Sequence, residues 1–173
     1  MKSPKEITDI KIKWNKFFPI GYLAMTFFGK MWMKNKDKKK WEYYISTGHS
    51  NVVINHEMIH VKQAVSTNNS WFKFYFLYAW YWLTANPLFN GFTFAYKMNP
   101  FEMEAYSNET DLYYIGTHAS GAYRWKTYKS IQTKQLKQYW KEYNVKKKEE
   151  YLTFGKYLQK YVDVNLDFKE YTN

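Results

Sequence analysis

His56 and His60 stand four residues apart, and Glu57 directly follows the first of them, in the run Asn55-His56-Glu57-Met58-Ile59-His60. On an α-helix, residues four apart share a face, one turn above the other. Two imidazoles so placed can reach one cation, and a neutral imidazole nitrogen is a good zinc donor at about 2.0–2.1 Å. Glu57, one residue on, stands near such a cation without binding it. A carboxylate there can take a proton from an activated water and pass it to a leaving group. The chain holds four histidines and ten glutamates in 173 residues. Shuffling that composition gives H-E-x-x-H about once in 200 trials, so the spacing is a signal. It predicts a Zn2+ cofactor, His56 and His60 as metal ligands, and Glu57 as general base of a hydrolase.

A catalytic zinc keeps three protein ligands and one open position. The chain has no cysteine, so the third ligand must be His, Asp or Glu. Glu102, Glu104, Glu109, Asp111, His49 and His118 are the candidates. Glu102 follows a helix start and has the small Ala105 three residues later, which lets its helix pack close to the first. Glu104, two residues on, points to a different helix face, so only one of the two can face the metal. A developing oxyanion needs a donor beyond the metal, and His118, Tyr123, Tyr106 and Arg124 are the candidates for it. Gln63, about one turn beyond His60, either hydrogen-bonds near the site or packs.

The elements that would carry these groups follow from pattern and punctuation. Residues 7–18 alternate loosely (Ile7, Ile10, Ile12, Trp14, Phe17, Phe18) until Pro19 and Gly21 break the run. Residues 22–33 are apolar and aromatic, with a strand pair and a helix both open. Trp41 to Ser46 reads as a strand. Ser50 or Asn51 can cap a helix over about 52–66, by accepting the free N–H groups of its first turn. Residues 71–85 form an aromatic segment, shorter than the roughly 20 apolar residues of a membrane span. It is expected as a core helix bridging the two ligand helices. Docking on a membrane surface or a protein partner is the alternative. Asn99-Pro100 starts a helix over about 101–115. Residues 122–143 and 146–162 read as two lysine- and tyrosine-rich amphipathic helices.

These residues carry a resemblance. His56-Glu57-Met58-Ile59-His60, followed by Glu102-Met103-Glu104-Ala105-Tyr106, resembles the gluzincin class of zinc metallopeptidases. In that class H-E-x-x-H is completed by a glutamate in an E-x-x-A-D or E-x-x-S-D run. The chain also resembles a group of small bacterial metallopeptidase-like proteins with I-N-H-E-x-I-H-x-x-Q and F-E-x-E-A-Y stretches, here Ile54 to Gln63 and Phe101 to Tyr106. The resemblance covers roughly residues 20–126. It implies His56, His60 and Glu102 as metal ligands, Glu57 as general base and a peptide or protein substrate. The larger families have an aspartate where this chain has Tyr106. That aspartate often orients a ligand histidine, and Tyr106 can accept the same hydrogen bond without a charge.

The totals set the frame. The net charge is +11. Residues 1–40 hold 11 lysines and 3 acids, residues 41–122 hold 3 lysines and 6 acids, and residues 123–173 hold 12 basic residues and 6 acids. The middle third, which carries the motif, is the only acidic part. Arg124 is the sole arginine, and arginine is the residue suited to bidentate phosphate and base contacts, so nucleic acid is not expected as a partner. No signal-peptide pattern follows Met1, which predicts a cytoplasmic protein with membrane association left open. The expected fold is α+β and mostly helical. Zincin-like helices carry the metal over residues 1–122 beside a small N-terminal sheet, and a helical extension over 123–173 packs on them. A non-catalytic structural or assembly protein, such as a virion component, that keeps a zincin-like fold is the competing reading.

Overall fold

The computed structural model describes residues 1–17 and 24–169. The Phe18, Pro19 and Gly21 positions of the expected strand break lie outside them. The fold is α+β and mostly helical, as expected, with a small sheet near the N-terminus. Two compact units make up the chain: Met1–Trp71 with Glu109–Ala122, and Phe72–Asn108 with Tyr123–Asn173.

In the first unit, β1 (Lys11–Asn15), β2 (Ala24–Phe27) and β3 (Lys30–Lys34) form a sheet in the order β1-β3-β2. β1 runs parallel to β3, and β2 runs antiparallel to it. The open choice for residues 22–33 is thus a strand pair over the described part. Phe28 and Gly29 join β2 to β3, both at positive φ (47° and 72°), as a tight two-residue hairpin turn requires. A Cβ on Gly29 would lie 1.8 Å from Ile7 Cδ1, so a larger residue would also have to move the end of that buried side chain. The turn fixes the register, with Thr26 opposite Met31 and Ala24 opposite Met33. Side chains alternate across a strand, and Thr26, Met31 and Met33 are the buried set.

Residues expected as a strand over 41–46 are helical instead, in α1 (Lys38–Ser46). The preceding lysines extend the helix by a turn, and Lys38 pairs with Glu42 at 3.6 Å, an i, i+4 contact only a helix provides. Trp41 meets Tyr44 edge-on at 5.7 Å across the same turn. This helical pairing overrides the weak β preference of aromatic residues.

α2 (Asn51–Ser66) matches its expected extent, with Ser50 in the N-cap position. The Ser50 hydroxyl makes no capping hydrogen bond, contrary to expectation. α2 is buried almost throughout from Asn55 to Ser66. It packs on β2 and on α7 (Tyr114–Thr117).

In the second unit, α3 (Trp71–Thr84) is followed by the short α4 (Pro87–Asn90) and α5 (Phe92–Lys97). α6 spans Pro100–Asn108. Asn99 caps it: its side-chain oxygen accepts from Phe101 N–H at 3.1 Å, with Pro100 in the first position. The Asn99 amide donates to the Tyr78 carbonyl at 3.0 Å, fastening α6 to α3. Phe74 and Tyr81 meet Phe101 at ring separations of 4.9 and 6.0 Å. The opposite face of α3 is exposed, so this helix is a core element on one side only.

α6 ends at Asn108, well short of the expected 115. The Asn108 side chain donates back to the Glu104 carbonyl, and Asn, Thr and Asp are turn formers. The C-terminal residues fold as α8 (Trp125–Tyr128), α9 (Thr133–Glu149) and α10 (Phe154–Tyr157), the last continuing through a π-helical turn over Leu158–Val162. They share a core with α5 and α6, in which Phe94, Met98, Met103, Tyr143, Phe154 and Tyr157 are buried together.

Candidate metal centre

α2 places His56 and His60 on one face, with ring centroids 5.0 Å apart and nearly perpendicular. Both are buried, as is Glu57 between them in sequence. Burying imidazoles and a carboxylate is costly unless each has a partner, and the partners are specific. His56 Nδ1 lies 2.9 Å from Glu109 Oε2. His60 Nδ1 lies 2.7 Å from Gln63 Oε1, three residues on along the same helix. An acceptor at each Nδ1 selects the tautomer that carries its proton there. Nε2 of both rings is then unprotonated, the state a metal requires.

Glu109 owes its position to the early end of α6 and to Asn55. The Asn55 amide donates to the carbonyls of Glu109 and Asp111, both at 2.9 Å. It clamps the segment after α6 onto α2. The group that meets His56 Nδ1 is Glu109, which brings a charge that Tyr106 lacks. Tyr106 packs among aromatic rings instead, 5.4 Å from Phe154, with the Lys97 ammonium 3.5 Å above its ring.

Glu57 is held from the sheet. Thr26 Oγ1 donates to Glu57 Oε2 at 2.5 Å and contacts the Glu57 carbonyl at 3.3 Å. The β2–β3 register turns Thr26 inward, and a buried hydroxyl must find an acceptor. A fixed hydrogen bond to one oxygen orients the carboxylate and leaves the other oxygen to act.

On α6, Glu102 is buried and accepts from the Tyr78 hydroxyl at 2.6 Å. The Tyr96 phenol is held far above its usual range, first by burial and then by the negative charge of Glu102. Tyr96 stays a neutral hydroxyl near this carboxylate. Glu104 is also buried, but its carboxylate accepts from Arg124 N–H at 2.7 Å. The two glutamates face different partners, as their spacing required. His56, His60 and Glu102 each offer a ligand atom, and these atoms lie within 4.8 Å of one another. The group could hold a metal ion, and two imidazoles with one carboxylate suit zinc.

The remaining candidates have other attachments. His118 Nδ1 lies 2.8 Å from the Tyr114 carbonyl, and its ring stacks on Tyr114 at 4.0 Å. His49 is exposed and bonded to Thr47. The Arg124 guanidinium donates to Asn108 at 2.9 Å, and Lys126 covers the Tyr123 ring. Asp111 accepts from Tyr113 N–H. Gln63 takes the hydrogen-bonding role rather than the packing one.

Thr26, Asn55, Tyr78 and Glu109, in these partnerships, were missed in the sequence. Asn55 and Glu109 left a faint trace, an amide beside the motif and a carboxylate in a turn-forming run. Thr26 and Tyr78 left none. No protein-family model, no curated protein and no solved structure matches this chain.

Proposed function

We propose that the chain is a zinc-dependent hydrolase of the metallopeptidase type, with His56, His60 and Glu102 as ligands and Glu57 as general base. The observation that carries this reading is the clustering of three buried ligand groups within 4.8 Å of one another. The neighbouring Glu57 is anchored through one oxygen only. A structural zinc site usually fills its fourth position with protein and has no use for such a carboxylate.

A bound zinc supplies Lewis acidity, polarising a carbonyl and lowering the pKa of water. The residues do the rest. Glu109 and Gln63 keep the Nδ1 protons of the two histidines in place. Tyr78 orients Glu102. Thr26 fixes Glu57 so that its second oxygen can take the proton of the attacking water and deliver it to the leaving amine. His49 and His118 are bonded elsewhere through Nδ1, to Thr47 and Tyr114.

Glu57→Gln tests the mechanism. Zinc content should be unchanged, because Glu57 is not a ligand. Cleavage of a mixed peptide library, followed by mass spectrometry, should fall about 10²–10⁴-fold. Unchanged turnover in that variant overturns the role of Glu57. A zinc-loaded parent that cleaves nothing in the library favours the non-catalytic protein instead.

A further inference from the structure

α3 is apolar on every side. Apart from Lys73 and Thr84, its sequence is Phe, Tyr, Trp, Leu and Ala (Trp71 to Thr84). One face is spent on the fold: Trp71 and Phe74 are buried, and Tyr78 reaches Glu102. At 100° per residue, Phe72, Phe76, Trp80 and Leu83 fall on the opposite face within an arc of about 80°. All four are exposed, by 81%, 60%, 55% and 59% of their surface. Leu88, Phe89 and Phe92 continue the apolar surface just beyond the helix, and they too are exposed. A helix hydrophobic all round is ordinarily buried or in contact with lipid, and isolated exposed apolar residues do not group like this.

Along the sequence of this segment the charge has one sign. Residues 72–99 contain Lys73 and Lys97 and no acid. Lys126 lies near Lys73, in the first turn of α3, and near Lys129. Burial, and then the charges of Lys129 and Lys73, hold the Lys126 ammonium below its usual range. Cations crowded this way gain from a negative surface. A second copy of the chain, itself at +11, would bring repulsion to the same place. α3 is about 21 Å long, too short for the roughly 30 Å hydrocarbon core, and no helix among the described residues is long and apolar enough to cross a membrane. An apolar stripe flanked by lysines suits an orientation flat in the interface, with its rings among the acyl chains.

We propose that the exposed face of α3, with Leu88, Phe89 and Phe92, docks the protein onto an anionic lipid surface. This inference stands apart from the metal reading, since none of these residues belongs to the ligand cluster. The test is flotation of the full chain with phosphatidylcholine vesicles, with and without phosphatidylserine. The parent should float with the phosphatidylserine vesicles and release as salt rises, because screening shortens to about 10 Å at 0.1 M. Phe76→Ser with Trp80→Ser should cut vesicle binding at least about tenfold at an unchanged melting temperature. Phe72→Ser, at the most exposed of the four positions, should weaken binding in the same direction without touching the core. A parent that stays unbound with anionic vesicles overturns the proposal. So does undiminished flotation of the Ser variants, or a dimer that they dissolve in the absence of any vesicle binding.

Discussion

α2 and the aromatic core of the C-terminal helices are buried to a similar degree and are built from opposite materials. Around Tyr157, the interior is Phe94, Met98, Met103, Tyr143, Phe154 and Leu158. Its polar tips are paired locally, as where Tyr157 donates to Glu142 and Tyr128 to Asp163. On α2, the buried set includes Asn55, His56, Glu57, His60, Gln63 and Ser66. A buried polar group contributes little net stability even when bonded, and costs about 1–3 kcal/mol when its partner is removed. The first region has the composition that folding alone selects. The second carries a desolvation burden, and in the proposed reading its partners aim lone pairs at a metal.

That contrast is broken most forcefully from the core side. Tyr157→Ala removes a fully buried ring and should cost about 3–5 kcal/mol in urea denaturation, a large part of a typical total stability. Zinc content per folded chain should not change. A loss of zinc without a loss of stability would show that the two regions are not separate in function.

A smaller effect sharpens the other side. Glu109→Leu and Tyr78→Phe each roughly keep the shape and remove one orienting hydrogen bond, from His56 and Glu102 respectively. Each should weaken zinc affinity about 10–100-fold in competition with a chelator dye, and the melting temperature should fall by a few degrees because a buried group loses its partner. If affinity holds in both, these partners are packing and not alignment.

How much of this was legible in the sequence follows the range of the interactions. His56, Glu57 and His60 lie within one helical turn, so spacing alone placed them. Glu102 was reachable because Asn99-Pro100 marks the start of its helix. Glu109 reaches His56 for a tertiary reason that no local pattern shows: α6 ends at Asn108, and the Asn55 amide binds the carbonyls of Glu109 and Asp111. The strand expected at 41–46 failed because aromatic content was weighed above the i, i+4 pairing of Lys38 with Glu42. Thr26 depends on a hairpin register set by Phe28-Gly29, and Tyr78 on a pairing of α3 with α6. Neither leaves a local trace.

The smallest predicted effect is one of pH. Lys160, Tyr161 and Lys146 bond the Glu150 carboxylate and hold its pKa at about 2, below the ordinary 4.5. A depressed folded pKa means the contribution is present above about 4.5 and is lost as pH falls through about 2. Glu150→Gln should therefore melt slightly earlier than the parent at neutral pH, with the difference vanishing toward pH 2. The zinc site should be indifferent to this variant at neutral pH.

The central claim is that α2 buries polar groups in order to hold a metal. It is tested most directly by metal content, measured by mass spectrometry on protein purified without chelator or affinity metal, for the parent and for His56→Ala. The prediction is near one zinc per parent chain and none in the variant. A folded parent that takes up no zinc even when zinc is offered would contradict it.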